Sequence, residues 1–452
     1  MSNYPLLKKS PDRSTGSGIV HIGPGAFFRA FNAVYTAEVA DATDHHWGIR
    51  GVSLRSSDIR DKLAPQGYAY TSVTLKPEGA EYSAIDLIED ILVAPEDPEQ
   101  VLATMADAET RIVSLTITEK GYCHNPATGE LLLDHPDIAH DLTHSDALRS
   151  APGILVHALA RRKAAGLAPF TILSCDNLPD NGKLIRGVVL AFAETVDPEL
   201  ATWISSEGRF PATMIDRITP ATTDDDITSV SEATGYLDNG CVMHEPFRQW
   251  VVEDDFVNGE RPSWNLSGAQ FVGDVAAFET MKLRCLNGTH SSLAYLGYLA
   301  GHETISDTVA NPVFEQLIDH LWLKEIVPTV PQPEGEDLVA YCAALKKRYQ
   351  NPSIRHRTWQ IAMDGSQKLP QRILGTINDN LAAGRDIAGL ALVVAGWMRY
   401  VGGIDEKGEA IDVKDPLAEK LRAASDSDNT PTGKVDALLA VSEVFDPELA
   451  GL

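Results

Sequence analysis

Cysteine is scarce in this chain. Five residues in 452 (Cys123, Cys175, Cys241, Cys285 and Cys342) are odd in number, far apart, and form no C-x-x-C pair. That spacing excludes a disulfide framework and a structural zinc ribbon, and fits reduced thiols in cytoplasm. Basic charge is scarce too: 38 Lys and Arg stand against 64 Asp and Glu, a net charge of −26. Such a balance leaves no footprint for nucleic acid and is repelled by an anionic membrane surface. A local Arg or Lys cluster can still receive an anionic substrate. Long apolar runs are missing. The longest, IAGLALVVAGWM at 387–398, falls short of the roughly 20 residues that a bilayer span needs and reads as a buried helix. The N-terminal MSNYPLLKKS lacks the apolar core of a signal peptide, and the first 17 residues read as polar and loose. There is no H-E-x-x-H and no G-x-S-x-G. The pair His244–Glu245 has poor ligand geometry on helix or strand, so neither a metal site nor a serine nucleophile is expected. The chain reads as a soluble, cytoplasmic protein with enough length for two domains.

What is there is alternation. SGIVHIG (17–23) reads as a buried strand, AFFRAFNAVYTAEVA (26–40) as a helix with Phe27, Phe31, Val34 and Tyr35 on one side, HWGIRGVSLR (46–55) as a second strand, and SSDIRDKLAPQG (56–67) as a capped helix. TRIVSLTIT (110–118) and PFTILSCDN (169–177) read as further strands, with the helix GILVHALARRKAAG (153–166) before the latter. This argues for a parallel sheet with crossover helices. The piece 219–240 reads as a Gly- and Asp-rich loop. Beyond about 276 helical periodicity dominates, at 279–301, 312–326, 336–350, 369–384, 386–400 and 415–425. The expected fold is α/β: a Rossmann-like domain over 1–275 with a mostly parallel sheet, then a mainly α-helical domain over 276–452.

Four stretches can carry chemistry. In IVHIGPGAFFRA (19–30) a strand ends at Gly23 and a helix opens after Gly25. Glycines allow a tight turn and let backbone N–H groups approach a pyrophosphate, so Ile22, Gly23, Pro24, Gly25, Ala26 and Phe27 are cofactor candidates. Phe28 replaces the third glycine of G-x-G-x-x-G, so the motif alone also fits an ordinary strand–helix turn; its place on the first strand of the alternating pattern favours the cofactor. After the second strand comes RSSD. A carboxylate there takes the ribose hydroxyls of NAD, and an arginine suits the 2′-phosphate of NADP. Arg55 and Asp58 are the candidates, although an acid such as Asp58 also suits the first turn of the next helix. In SLTITEKGY (114–122), Thr118, Glu119 and Lys120 follow a strand's carboxyl end, where open sheets hold ligands; a plain polar loop fits equally. In SCDNLPDNG (174–182), the Asn177 carboxamide can donate to a substrate oxygen, while the composition is also that of a turn.

The fourth stretch is MKLRCLNGTHSSLAYLGYLAG (281–301), which sets Lys282, Asn287 and His290 just ahead of an apolar, small-residue helix. At helical spacing the three span about 140° of arc and can face one cleft. A lysine titrates near about 10.4; burial or a nearby positive charge lowers that toward a usable base. The plain alternative is a surface Lys, a capping Asn and a satisfied His.

These residues belong to six segments that, in order, resemble the polyol-specific long-chain dehydrogenase/reductase family, the mannitol dehydrogenase family: IVHIGPGAFFRAFNAVYT, RIVSLTITEKGY, FTILSCDNLPDNG, EPFRQWVVEDDF, MKLRCLNGTHSSLAY and RTWQIAMDGSQKLPQR. The resemblance covers nearly the whole chain. It implies metal-independent hydride transfer between a nicotinamide, NAD with NADP left open, and a ketose or keto-acid carbonyl, in a cleft between the two domains. It implies Lys282 as general acid or base, Asn177 and Asn287 as donors to the reacting oxygen, His290 as its positioner, and Asp216 as a contact for substrate hydroxyls. HSSLAYLGYLAG, AGWMRYVGGIDEKG and Gln360, where mannitol dehydrogenases carry Arg, look closer to the fructuronate reductase branch. That makes fructuronate to mannonate the first expectation and fructose to mannitol the second. A uronate carboxylate would want a cation, and Arg248, Lys368 and Arg372 are the candidates. The resemblance also implies a monomer, with a dimer as the alternative. It further implies terminal helices beyond Leu452, so that a trimmed C-terminal domain or some other cover for its apolar face is expected.

Overall fold

Short runs of β-branched and apolar side chains build the centre of the first unit. The computed structural model describes residues 4–10, 16–42 and 47–446, and the chain divides at Val275/Ala276 into two compact units. The strands of the first unit are β1 (Ile19–Ile22), β2 (Ile49–Ser53), β3 (Tyr70–Lys76), β4 (Gly79–Ile85), β5 (Ile88–Val93), β6 (Ile112–Leu115), β7 (Thr171–Ser174), β8 (Thr213–Asp216), β9 (Val242–His244), β10 (Gln249–Glu253) and β11 (Gln270–Val272). Five of them form one parallel sheet in the order β5-β2-β1-β6-β7.

Every residue of β1, β6 and β7 is buried, as expected of a sheet covered on both faces. Side chains alternate between two cores. Val20, Ile22, Val113, Leu115 and Ile172 pack with the helices Pro98–Ala106, Ala151–Ala164 and Asn181–Val196. Ile19, Ile112 and Leu173 pack with Phe28, Phe31, Tyr35 and Trp250 on the other face. Counted within this sheet, the strand order is third, second, first, fourth, fifth. The winding therefore reverses between β1 and β6, and a crevice opens at their carboxyl ends. Two smaller sheets, β11-β10-β8 and β4-β3-β9, complete the unit.

Several local expectations change. The apolar segment 26–40 is two helices, Ala26–Ala30 and Asn32–Ala42, broken at Phe31 (φ −129°, ψ −84°). The cause lies in side chains that take the carbonyls the helix would use: the Tyr70 hydroxyl donates to Arg29 O at 2.7 Å and Arg217 Nη1 to Ala30 O at 2.6 Å. The stretch read as a 219–240 loop contains the helix Asp224–Thr234, opened by a Thr223–Asp226 capping box with acids throughout its first turn. Part of the N-terminal segment is pinned rather than loose. Leu7 is buried, its N–H donates to Leu237 O at 3.0 Å, and Lys9 Nζ donates to Ile88 O at 2.9 Å. Residues 1–3 and 11–15 of that segment, and the start of the strand expected from 46, lie outside the described residues.

The second unit is helical. Its expected helices are present, joined by Ile305–Val309, Thr358–Ile361 and Pro431–Leu439. Three of them widen locally into i→i+5 turns, at Lys282–Gly288, Leu321–Ile326 and Pro370–Leu374. Such turns are rare and cluster at functional sites. The apolar run 387–398 is the helix Ala388–Val401. Its first free N–H groups are held by the buried Glu325 carboxylate, which accepts from Gly389 and Leu390, each at 2.8 Å. No helix among the described residues is long and apolar enough to cross a membrane.

Candidate active site

In the first unit three loops converge at the carboxyl ends of β1, β6 and β7. The turn after β1 requires glycine at Gly23: φ is +88°, and a Cβ there would run into the Thr116 carbonyl oxygen in the loop after β6. Thr116 Oγ1 donates to Gly23 O at 2.7 Å. The buried His21 ring bridges the same loops, reaching Ser114 Oγ at 2.8 Å and Thr116 Oγ1 at 2.9 Å, and stacks on Phe28 with centroids 3.6 Å apart. Burial pushes its pKa down to about 3, so the imidazole is neutral. Arg29 Nη1 donates to Pro24 O at 2.8 Å and fixes the turn from behind.

Gly25 precedes the helix directly, and only Gly23 O lies near a Cβ built on it, at 3.8 Å. The cradle formed by Ile22 to Phe27 therefore fits a dinucleotide phosphate. Its glycines keep side chains out of the approach, and the first N–H groups of a helix have no partner within that helix.

The third loop is tied in by a residue that sequence reasoning passed over. Asp176 follows β7. Its carboxylate accepts from Ile117 N–H and Thr118 N–H, each at 2.9 Å, and from the Tyr122 hydroxyl at 2.7 Å. Burial pushes this carboxyl up, and those three donors pull it back down. Thr118 is held at φ +64°, ψ 164°, a strained conformation for a non-glycine residue. Glu119 and Lys120 open the short 3₁₀ turn Glu119–Tyr122. Asn177 stands next to Asp176, in a turn whose Asn181 donates to Asp176 O at 3.0 Å and Thr213 O at 2.9 Å. Asp216 ends β8 and is buried. The signal for Asp176 was available: an acid just past a buried, continuously apolar strand, at the carboxyl end of the sheet.

Beyond the carboxyl end of β2, Arg55 is mostly exposed and pairs with Asp137 at 3.0 Å. Asp58 is the first residue of the helix Asp58–Leu63 and accepts from Ser56 Oγ at 3.0 Å. Arg248 differs from its expected role as a carboxylate receptor. Its guanidinium grips Glu38 through Nη1 at 2.9 Å and Nη2 at 2.6 Å and lies 4.3 Å over the Tyr35 ring. The pairing with an acid already in the fold accounts for this cation.

In the second unit Lys282, Asn287 and His290 do not sit at a helix end. They lie within one continuous helical run, Ala276–Met281, then the widened Lys282–Gly288, then Thr289–Leu299. Widening leaves carbonyls off the regular ladder, and side chains satisfy them. Cys285 O accepts from Trp322 Nε1 at 2.9 Å and Thr289 Oγ1 at 2.6 Å, and Leu286 O accepts from the Tyr349 hydroxyl at 2.9 Å.

Lys282 is 9% exposed and His290 7%. His290 stacks on Tyr349 with centroids 4.9 Å apart and meets His356 edge-on at 4.8 Å. Burial first, then His356, Arg348 and Arg372, push the His290 pKa well down, so this imidazole is neutral. Tyr349, His356 and Arg348 were not singled out in the sequence; they come from a different helix and a loop. Lys368 Nζ donates to Met363 O at 2.6 Å and lies 3.9 Å from Asp364. Arg372 Nη1 donates to Ser291 Oγ at 3.1 Å, one residue beyond His290. Gly288 lets the two widened segments approach: a Cβ there would be 3.0 Å from Arg372 O. Among the described residues no group of three or more His, Cys, Asp or Glu is placed to hold a metal ion.

A doubly wound dinucleotide domain followed by a helical domain bearing a buried lysine, a carboxamide and a neutral imidazole defines a dehydrogenase of the two-domain type. The comparisons agree. Residues 17–266 match the mannitol dehydrogenase Rossmann domain and residues 274–451 the mannitol dehydrogenase C-terminal domain. The chain belongs to the mannitol dehydrogenase family and is an oxidoreductase acting on CH–OH groups. It is 47% identical to D-mannonate oxidoreductase of Escherichia coli (strain K12), over 99% of this chain and 93% of that one. It is 42% identical to mannitol 2-dehydrogenase of Pyrenophora tritici-repentis, over 90% and 73%. Among solved structures, Pseudomonas fluorescens mannitol 2-dehydrogenase in a ternary complex with NAD and D-mannitol matches with a TM-score of 0.84 at 38% identity, covering 100% of this chain and 92% of that one.

Proposed function

We propose that this protein is an NAD-dependent reductase of keto-sugar acids, interconverting D-fructuronate and D-mannonate, with D-fructose and D-mannitol as the second reading. The observation that carries the chemistry is the buried Lys282 on the widened turn that also holds Asn287, with neutral His290 directly after it. The higher identity to D-mannonate oxidoreductase, over more of the relative's length, supports the acid over the polyol.

Bound nicotinamide dinucleotide supplies or accepts the hydride. The residues of this chain handle the oxygen and its proton. In reduction the Lys282 ammonium gives its proton to the carbonyl oxygen as negative charge develops there; in oxidation the free amine takes it back. Asn177 and Asn287 donate N–H to that oxygen, two neutral donors whose contribution grows with its charge. His290, uncharged, carries one donor and one acceptor and orients a hydroxyl beside the reacting carbon. Asp216 takes a further hydroxyl. The glycine turn at 23–25 and the Thr118–Lys120 loop hold the dinucleotide at the reversal of strand order. NAD is favoured over NADP because Asp137 already pairs with Arg55, which leaves that arginine less free for a 2′-phosphate.

The test is turnover with NADH and NADPH against D-fructuronate, D-tagaturonate and D-fructose, in wild type and Lys282→Ala. Fructuronate with NADH should be the best pair. The variant should lose turnover while NADH affinity stays within a few-fold. Turnover retained in the variant removes Lys282 from its role, and turnover of fructose alone overturns the choice of acid.

A further inference from the structure

The two units hold several buried or half-buried cations; some have an acid at hand, and others, such as Arg29, Arg162 and Arg217, donate to backbone carbonyls. Arg248 grips Glu38, Arg284 pairs with Asp379 at 2.6 Å, and Lys346 pairs with Asp319 at 2.9 Å. Arg372 is different. Among the described residues no carboxylate is within ion-pair distance of it, and its one hydrogen bond is from Nη1 to Ser291 Oγ. The electrostatic partners that offset its burial are two phenols, Tyr295 and Tyr349. None of its nitrogens is sealed from solvent without a partner, so most of its five donors remain available to a ligand. Lys368, one turn earlier, lies in the field of the same guanidinium: burial first, then Arg372, pushes its pKa down.

A desolvated guanidinium without a counter-ion is costly, and its planar fork matches a carboxylate through two parallel hydrogen bonds. We propose that Arg372, steadied by Ser291, is the residue that recognises the substrate's carboxylate, so that the site selects sugar acids over neutral sugars. The segment carrying it packs against the widened turn of Lys282 and Asn287, which sets the anion beside the reacting group. This inference rests on the dehydrogenase reading above and names the residue that sets its substrate class.

The experiment compares wild type, Arg372→Gln and Arg372→Lys. It takes kcat/KM for D-fructuronate, D-tagaturonate and D-fructose with NADH, and calorimetric affinity for D-mannonate and D-mannitol in the presence of NAD. NADH binding and circular dichroism report folding. In Arg372→Gln the ratio of acid to neutral substrate should fall about 100-fold, as expected when a charge-assisted pair is lost. Arg372→Lys keeps charge without the fork and should fall about tenfold. If Arg372→Gln does not fold, the lysine variant decides by the same ratio. An unchanged ratio in a folded variant overturns the anchor even if fructuronate is the wild-type substrate. A selective loss seen with tagaturonate but no wild-type activity on fructuronate keeps the anchor and overturns the particular substrate. A wild type that neither binds nor turns over any sugar acid overturns both.

Discussion

Asp176 offers the sharpest test of how the cofactor loops are held. Its carboxylate accepts from two backbone N–H groups and also takes the Tyr122 hydroxyl. In Asp176→Asn the shape is kept, but the amide has one oxygen, and its NH₂ faces a backbone donor. At least one bond to a charged acceptor is lost, a cost of about 1.5–3 kcal/mol at a buried site. Thr118 then loses the contact that keeps it at φ +64°, a strain of about 1–2 kcal/mol. If the ordered loop is what the dinucleotide binds, that cost reappears as a roughly 10- to 150-fold weaker NADH affinity. NADH fluorescence titration well below the melting temperature measures it. A second substitution, Thr118→Gly, should recover about tenfold in the Asp176→Asn background, because glycine occupies positive φ without steric cost. A variant that melts earlier yet binds NADH as wild type does would refute the reasoning, since Asp176 would then stabilise the fold without shaping the loop.

Two further outcomes follow from the same unit. Gly23→Ala meets the Thr116 backbone oxygen at a positive φ and should cost more than about 2 kcal/mol, read as a lower urea midpoint and lost NADH binding; a midpoint at the wild-type value would contradict the close approach. His21 and His244 are buried and their pKa values are pushed down to about 3, by burial in both cases and for His244 also by Arg217. At neutral pH both states are uncharged and nothing is gained or lost. Below about pH 6.5 the unfolded chain takes up the protons and the native one does not until about pH 3, so stability falls as pH falls, by about 1.4 kcal/mol per pH unit for each histidine. Urea unfolding from pH 6.5 to 4.5 should show His244→Gln with a shallower acid slope by about that amount, and an unchanged slope would mean His244 is not held neutral.

The parallel sheet was legible because its strands are short, continuously apolar and bounded by glycine, a pattern that depends on burial of both faces and little else. The break at Phe31 was not, because its cause sits on β3 and beside β8 in Tyr70 and Arg217. The helix at 224–234 was hidden by composition: three aspartates look like a loop until Thr223 and Asp226 are seen as a reciprocal cap. Lys282, Asn287 and His290 were candidates by spacing, with a surface lysine, a capping asparagine and a satisfied histidine as the alternative. Their surroundings were not legible, because Tyr349, His356 and Arg348 reach His290 only through packing. Arg248 and Arg372 were equal candidates in one dimension, and only Glu38, 210 residues away from Arg248, separates them.

The wide turn at Lys282–Gly288 has a consequence for how this segment tolerates insertion and deletion. Removing one residue there would let the backbone relax to the ordinary helix, and the carbonyls that Trp322, Thr289 and Tyr349 now satisfy would return to the regular ladder. Side chains before and after the turn would keep their directions, while those within it would each move to a neighbouring position with every residue type unchanged. Chain length across those seven positions is therefore as much a part of the chemistry as the lysine itself.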